Sequence, residues 1–505
     1  MQWHSINGRK IPPPARRLLI PPLALESPAA VPTMPAMRKT KILCTLGPAT
    51  ESAEAIAELI AKGADIFRLN MSHASHDWVR TVHGRIREAA AAGSKEIAIL
   101  MDLTGPSIRT GDLEQPWQLQ PGDAVEFRCR PEVTASLPLS VTVNYPELGK
   151  DLRPGDIIMV DGGMIQIRAT ETGPKRVLGT VLTRGEMKSR RHINLPGIPV
   201  RLPPLTQKDY ADLDLGIELG ADYFALSFAR EPGHLQHLQL LLDQKGSKAR
   251  VIAKIENQQA LENIDTLVEA SAGIMVARGD LGSECPIEEL PIIQRHIVER
   301  CSYHGRKVIV ATQMLESMIE NPVPTRAEVT DIFNAVIEQV DCVMLSGETS
   351  VGRYPAKCVE VLDTVIRRIE KKYPSGRFAS DAPLKTNKHK TVKAAILLAN
   401  SIPGSRLLVF TLRGVMAHLL AHQRPESAPI FAFTPHRHVS RTLVSARGVQ
   451  PFVLPFTEGD PEGSIRDAVA LLMREGHVKP GEPLVILSDA LYEGVNVDAI
   501  LLREA

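Results

Sequence analysis

The chain reads as an α/β protein. It predicts a closed (β/α)8 barrel, a small β-barrel lid domain inserted into it, and a C-terminal doubly wound α/β domain. Three observations carry this reading. Eight short apolar runs alternate with helical stretches between Met37 and Leu345. The interval from Arg109 to Asn194 loses helical periodicity and is filled with strand-like pieces. A polar linker after Tyr373 precedes a further series of strands and helices.

The length, 505 residues, exceeds one ordinary domain. Hydrophobic residues make up 44% and charged residues 23%, the balance of a folded globular chain. A net charge of +1 offers no bulk attraction to nucleic acid or an anionic membrane surface, so neither is expected as a partner. No apolar run is long enough to span a bilayer. The six cysteines are scattered, without a C-x-x-C pair, which points away from a disulfide framework or zinc ribbon and towards a reducing, cytoplasmic location.

Residues 1–36 carry prolines at 12, 13, 14, 21, 22, 28, 32 and 35 and are expected to be a disordered N-terminal extension. A targeting peptide or an upstream start before Met37 are the other readings. From Met37 the strand-type runs are Lys41–Leu46, Asp65–Leu69, Ile97–Met101, Tyr223–Leu226, Val251–Ala253, Gly273–Val276, Val308–Val310 and Cys342–Leu345. Stretches such as SAEAIAELIAKG between them open on Ser or Thr and close on Gly, as capped helices do. Strands this apolar have no wet face. That favours a closed barrel of the TIM type over an open doubly wound sheet. The insert contributes AVEFRC, LSVTVNYP and DIIMVDGGMIQIRATET, with Asp161-Gly162-Gly163 as a hairpin turn. An insert after the third strand sits over the mouth of the barrel, where it can close as a lid. In the last segment, strands are expected at Leu407–Thr411, Ile430–Phe433, Gln450–Leu454 and Leu484–Leu487. The expected boundaries are 37–106 and 193–370 for the barrel, 107–192 for the lid and 371–505 for the C-terminal domain.

Catalytic groups of such barrels lie at the C-terminal strand ends. The first strand ends in Thr45-Leu46-Gly47-Pro48 and the second in Arg68-Leu69-Asn70-Met71-Ser72-His73. The third ends in Asp102-Leu103-Thr104, and the fourth is followed by Ser227-Phe228. The remaining ends offer Lys254-Ile255-Glu256, Arg278-Gly279-Asp280, Thr312-Gln313 and Ser346-Gly347-Glu348-Thr349. A single terminal charge is usually a solvated rim. Two carboxylates, a lysine and two arginines aimed at one mouth are a different matter. Lys254 and Glu256, two apart on one strand, share a face. Glu256 and Asp280 form an oxygen-only pair suited to Mg²⁺ or Mn²⁺, against a structural ion pair as the plain alternative. Arg68 and Lys254 suit a phosphate ester. The backbone at Arg278–Asp280 opens a helix and offers free N–H donors, and Gly279 permits close approach. Asn70, Ser72 and Asp102 bring one charge among several oxygens, which suits a monovalent cation or a plain hydrogen-bonded cluster.

The stretches KTKILCTLGPAT, IFRLNMSH, DLTGPSIRTG, NLPG, ALSF, IAKIEN, IMVARGDLG, ATQMLESM, PTRAEVTD and MLSGETSVGRYP, in this order, resemble the motifs of the pyruvate kinase family. The resemblance implies transfer of the phosphoryl group of phosphoenolpyruvate to ADP, giving pyruvate and ATP, the last step of glycolysis. It implies Mg²⁺ (or Mn²⁺) on Glu256 and Asp280, a second Mg²⁺ arriving with ADP, and Lys254 offsetting charge on the phosphoryl group in flight. Arg68, Ser227 and the Arg278–Asp280 backbone would bind substrate. Thr312 would help deliver a proton through water. Pro48, His73, Arg109 and Arg191 match positions lining the nucleotide side. K⁺ would be held by Asn70, Ser72, Asp102 and the Leu103 carbonyl, and the assembly would be a homotetramer.

Two departures stand out. Where K⁺-dependent members read Asp-Thr-Lys-Gly-Pro-Glu, this chain has Asp102-Leu103-Thr104-Gly105-Pro106-Ser107. Where members controlled by a sugar bisphosphate read Thr-x-Ser-Gly-x-Ser-Ala, it has Thr411-Leu412-Arg413-Gly414-Val415-Met416-Ala417. Thr411, Arg413 and Gly414 are what remains for another phosphorylated allosteric effector. His418 and His422, four apart on a helix, read as a surface pair. Two other functions compete: a lyase handling a Mg²⁺-bound pyruvate enolate on a similar barrel, and a non-catalytic sensor. The sensor would be favoured by loss of Lys254, Glu256 or Asp280, and all three are present.

Overall fold

The computed structural model describes residues 37–374, 383–426, 428–456, 460–492 and 495–505. The extension expected over residues 1–36 and the middle of the linker lie outside the described residues.

Eight parallel strands close into a barrel: β1 (Lys41–Thr45), β2 (Ile66–Asn70), β3 (Ala98–Asp102), β4 (Tyr223–Leu226), β5 (Arg250–Ile255), β6 (Gly273–Ala277), β7 (Lys307–Ala311) and β8 (Cys342–Leu345). Each pairs with the next, and β8 returns to β1 with Lys41 opposite Cys342. The strands are buried on both faces. Leu43, Ile66, Leu100, Ile252 and Met275 pack with small Ala98, Ala225 and Ala311 in one cluster. Their neighbours Ile42, Cys44, Phe67 and Leu69 pack against the helical layer. The helix signals resolve as read: Ser52 caps Ala53–Lys62, which ends on Gly63 at φ +117°. Thr206 and Thr325 close capping boxes with Asp209 and Glu328.

The insert after β3 is a seven-stranded sheet whose end strands are Ile108–Arg109 and Ser140–Thr142. The bridge between Thr110 and Val143, with Gly111 N–H donating to Thr142 O at 2.7 Å, joins those two ends and closes the sheet into a small barrel. A two-stranded ribbon, Trp117–Leu119 with Gly185–Met187, flanks it. Arg230, after β4, donates to the carbonyls of Val200 and Leu202, holding the returning strap against the barrel.

The C-terminal domain has four parallel strands, β9 (Arg406–Phe410), β10 (Ile430–Thr434), β11 (Val449–Val453) and β12 (Pro483–Tyr492), in order β11-β10-β9-β12. A fifth strand, β13 (Val495–Glu504), lies antiparallel on β12. The sequence reading lacked it, because hairpin pairing to a neighbour leaves a weaker signal than a buried parallel run.

This domain docks on the base of the barrel. Tyr223 Oη donates to Thr442 O at 2.7 Å, and Lys307 Nζ donates to Ser445 Oγ at 2.8 Å. Arg424 grips both oxygens of Asp341 at 2.8 Å. His418 and His422 correct the surface reading. Their rings stack at 6.2 Å, and His418 Nδ1 and His422 Nε2 are shielded from solvent. Gly305, at the C-terminus of the helix before β7, approaches His422 closely enough that an added Cβ would stand 3.4 Å from Nδ1. The helical spacing was right, but the face it presents is the one that meets the barrel.

Candidate active site

The residues singled out on the strand ends meet at the C-terminal mouth of the barrel. Lys254 on β5 lies 2.7 Å from Glu256 Oε1 and 3.3 Å from Asp102 Oδ1, and donates to Ser227 Oγ at 2.7 Å. Ser227 in turn donates to the Leu103 carbonyl at 2.8 Å. From β2, Arg68 Nε donates to Asp102 Oδ2 at 2.6 Å and Nη1 to Thr45 Oγ1 at 3.2 Å. Strands β2, β3, β4 and β5 thus contribute one connected charge network. Period 2 on adjacent short strands produces it, because each terminal side chain faces the same opening.

Burial alone would drive the Lys254 ammonium towards neutrality. Asp102 and Glu256 more than offset it, so its pKa lies above that of a free lysine. Burial would also raise Asp102, but Lys254 and Arg68 hold it below the ordinary carboxylate range. Glu256 goes the other way: burial pushes its carboxyl up, Lys254 and the Phe228 N–H at 2.6 Å oppose this, and Asp280 adds to the rise.

The carboxylate of Asp280, in the short helix Arg278–Leu281 after β6, has no hydrogen-bond or ion-pair partner among the described residues. Glu284, four residues on, is pushed up to about 7 by burial and by Asp280, against a 3.0 Å hydrogen bond from Asn194 Nδ2. Acids that repel one another, Glu256 and Glu284 buried and Asp280 half-buried with no side-chain partner, are the donor set a hard cation relieves. No group of three or more acidic, histidine or cysteine side chains forms a ready cage among the described residues. Two carboxylates leave the other positions of an oxygen-coordinated ion to water and substrate, so Glu256 and Asp280 fit Mg²⁺ or Mn²⁺.

Arg278 behaves differently from the other cations. Its guanidinium turns away from the mouth to Asp331 at 2.7 Å, Gln294 Oε1 at 3.3 Å and the carbonyls of Ala311 and Thr312. Its contribution to the mouth is backbone only, so one arginine side chain, not two, joins the lysine there. Gly279 N–H donates to Thr312 Oγ1 at 2.9 Å. Thr312 and Gln313 both hold left-handed backbone, φ +70° and +56°, an uncommon cost for side chains of this kind outside functional loops.

For the monovalent cluster, Asn70 and Asp102 are opposite residues on paired strands. Asn70 Oδ1 accepts from Ser72 N at 3.2 Å, and Thr104 Oγ1 is buried without a hydrogen-bond partner. Ser107 Oγ accepts from Arg109 Nε at 3.1 Å. Pro48, His73 and Arg109 are exposed on the rim, and Arg191 pairs with Asp161 of the lid turn at 3.2 Å. In the C-terminal domain, Thr411 Oγ1 accepts from Gly414 N at 3.0 Å, a staple inside its own loop, while Arg413 stands exposed.

The sequence reading missed Glu284. Glu348, named at the end of the eighth strand but given no role, accepts from Leu315 N at 3.0 Å and Ser346 N at 2.7 Å and ties the loops after β7 and β8 together.

Comparison with known proteins bears on this arrangement. The family description "Pyruvate kinase, barrel domain" matches residues 37–359, and "Pyruvate kinase, alpha/beta domain" matches residues 389–497. Plastidial pyruvate kinase 2 of Arabidopsis thaliana is 41% identical over 454 residues, covering 89% of this chain and 78% of that protein. A pyruvate kinase of Geobacillus stearothermophilus is 37% identical over 468 residues, with coverages of 89% and 77%. A crystal structure of a pyruvate kinase from Cryptosporidium parvum aligns with a TM-score of 0.87 at 33% identity, over 92% of this chain and 96% of that one.

Proposed function

The chain belongs to the pyruvate kinase family, and from that premise we propose how its residues carry the reaction, transfer of the phosphoryl group of phosphoenolpyruvate to ADP. The observation that carries the assignment is the Lys254–Glu256–Asp102–Arg68 network, with an unpartnered Asp280 beside it.

Arg68 and Lys254 bind the phosphoryl group from two sides. Lys254 stays protonated throughout, because two carboxylates hold its pKa high, and so remains a fixed positive charge as the phosphoryl group moves. The backbone N–H groups from Arg278 to Asp280 receive the substrate carboxylate. Gly279 N–H leaves Thr312 Oγ1 for that carboxylate, which frees the hydroxyl to orient a water. That water delivers a proton to the methylene carbon of the enolate, since a threonine hydroxyl is itself a weak acid. Glu256 and Asp280 would hold a divalent cation, which would supply neutralising charge for the phosphate and enolate oxygens. ADP is received on the side of Pro48, His73, Arg109 and Arg191. Closure of the lid, latched through Asn194 to Glu284, excludes water that would otherwise accept the phosphoryl group.

K⁺ is assigned to Asn70, Ser72, Asp102 and the Leu103 carbonyl. Homotetramer assembly is our further reading, supported by exposed apolar side chains such as Ile287 and Ile292 on the barrel and Leu502 on the outer strand of the C-terminal sheet. An effector other than a sugar bisphosphate is assigned to the loop of Thr411, Arg413 and Gly414. Six free cysteines, five of them buried, suit a reducing compartment, for which the cytoplasm is our reading. No described helix is long and apolar enough to cross a membrane.

The test is a lactate-dehydrogenase-coupled assay with phosphoenolpyruvate, ADP and Mg²⁺, with and without K⁺. Pyruvate formation that needs ADP and Mg²⁺ supports the reading. Pyruvate formation independent of ADP would replace it with a lyase or a phosphatase.

A further inference from the structure

The first two turns of the helix Gln207–Leu219 carry two aspartates, Asp209 and Asp212, that are fully buried. A capping-box carboxylate ordinarily sits at a helix surface and serves its own N-cap. Asp209 does this with one oxygen: Oδ2 accepts from Thr206 N at 2.7 Å and Thr206 Oγ1 at 2.6 Å. Its other oxygen is aimed elsewhere. Oδ1 accepts from the backbone N–H of Gly105 at 3.1 Å, in the loop after β3.

Gly105 is a tight point. Its φ is +66°, and an added Cβ would stand 2.9 Å from Ser227 Cβ and 3.1 Å from Ser227 O. Ser227 takes the Lys254 ammonium at 2.7 Å, and the next residue, Phe228, gives its N–H to Glu256. The contact path therefore runs Asp209, Gly105, Ser227, Lys254, from a helix cap to the ammonium in the mouth.

Asp212 does the parallel job for the loop after β2. It accepts from His76 Nε2 at 2.8 Å and from Lys208 Nζ at 2.6 Å. Lys208 also donates to the carbonyl of Met71 at 2.7 Å, and Met71 N–H returns to the carbonyl of Asp102 at 3.0 Å. The start of one helix thus holds two neighbouring strand-end loops at a set distance, with carboxylates that cannot relax into water.

We propose that Asp209 and the Lys208–Asp212 pair are positioning residues for phosphoryl transfer, holding the loops after β2 and β3 so that Ser227 and Asp102 present Lys254 at the mouth. The proposal rests on the assignment of Lys254 above. None of the three touches substrate. Each acts through backbone that a displacement of an ångström would misalign, and such shifts cost about 100-fold in rate.

Three variants test it, each assayed for kcat, for KM of phosphoenolpyruvate and for thermal midpoint. Asp209→Ala removes the carboxylate half of the capping box and the Gly105 bond together, whereas Thr206→Val removes only the hydroxyl half of the box. Asp209→Ala is expected to lose about 10- to 100-fold in kcat, and Thr206→Val to lower the midpoint with kcat intact. Lys208→Gln, at a half-exposed side chain whose amide can still donate to Asp212, is expected to lower kcat about 10-fold in protein that stays folded at the assay temperature, and Lys208→Arg to restore it. Wild-type kcat in Asp209→Ala or in Lys208→Gln overturns the proposal. If Asp209→Ala does not fold, the Lys208 pair decides alone. Lys254→Met runs alongside: an inactive Lys254→Met beside fully active positioning variants refutes only the positioning role, while an active Lys254→Met refutes the assignment beneath it.

Discussion

Lys254 Nζ stands 2.7 Å from Glu256 Oε1 at the end of one strand, and the two charges are matched in the opposite sense to their burial. Burial disfavours both ions. The lysine nevertheless stays charged because Asp102 also faces it, while the glutamate is pushed up by its burial, with Asp280 adding to the rise.

Replacing Lys254 by Met removes the fixed cation and leaves Asp102 and Glu256 buried with one partner fewer. The expected outcome is a fall in kcat of about 1000-fold or more, the scale at which fixed charges act on a transferring phosphoryl group. The coupled assay measures it, with circular dichroism to establish that the barrel is intact. A variant within tenfold of wild type would remove Lys254 from the mechanism.

Glu256→Gln and Asp280→Asn each take one charged oxygen ligand from the cation pair. Titration calorimetry with Mn²⁺ in the presence of phosphoenolpyruvate should show affinity falling at least about tenfold in each variant. Unaltered Mn²⁺ affinity in both would mean that the ion sits elsewhere.

With Mg²⁺ saturating, exchanging K⁺ for a bulky organic cation should lower turnover, and Asn70→Ala should weaken the K⁺ response. Asn70 lies opposite Asp102 on the paired strand, and Asp102 already balances Arg68 and Lys254. Equal rates in both salts would indicate that this cluster serves without the ion.

The histidine pair between barrel and C-terminal domain should make stability fall on the acid side. Burial, with Arg424, Lys307 and Arg306 nearby, lowers His422 to about 3 despite Asp341, and the same kind of surroundings, Lys307, His422, Arg250 and Arg306, put His418 well below the ordinary value. The unfolded histidines titrate near 6.5. Between about 6.5 and 3 the unfolded chain binds protons that the folded chain refuses, so stability is full above pH about 6.5 and is lost as the pH falls. The thermal midpoint should decline from pH 6.5 to 5, offset in part by Glu284, whose carboxyl at about 7 gains stability as it protonates over the same window, and a His418→Gln/His422→Gln double variant should flatten that decline. An unchanged slope in the double variant would contradict it.

Arg424→Ala should destabilise the chain by about 3–5 kcal/mol, because it strands the fully buried Asp341 carboxylate, which the arginine holds at a pKa of about 2. Denaturant unfolding measures this directly, and a loss below 1 kcal/mol would mean that the backbone N–H groups of Val308 and Arg447 suffice for Asp341.

Local pattern alone was enough for the eight barrel strands, the helix caps at Ser52 and Thr206, and the convergence of Arg68, Asp102, Lys254 and Asp280 on one mouth. Those features follow from periods of 2 and 3.6 and from short-range hydrogen bonds, which neighbouring residues encode. Other features were decided only when distant segments met. The Arg278 guanidinium turned to Asp331 and the Thr312 carbonyl, more than thirty residues on, so a charge beside the site became a support for it. The His418–His422 face was hidden by a domain docking from the opposite end of the barrel. Asp209, legible as a cap, acquired its second bond from Gly105, about a hundred residues earlier in the chain. Each of these depends on which groups remain without a water or a partner after packing, and only the assembled tertiary structure selects them.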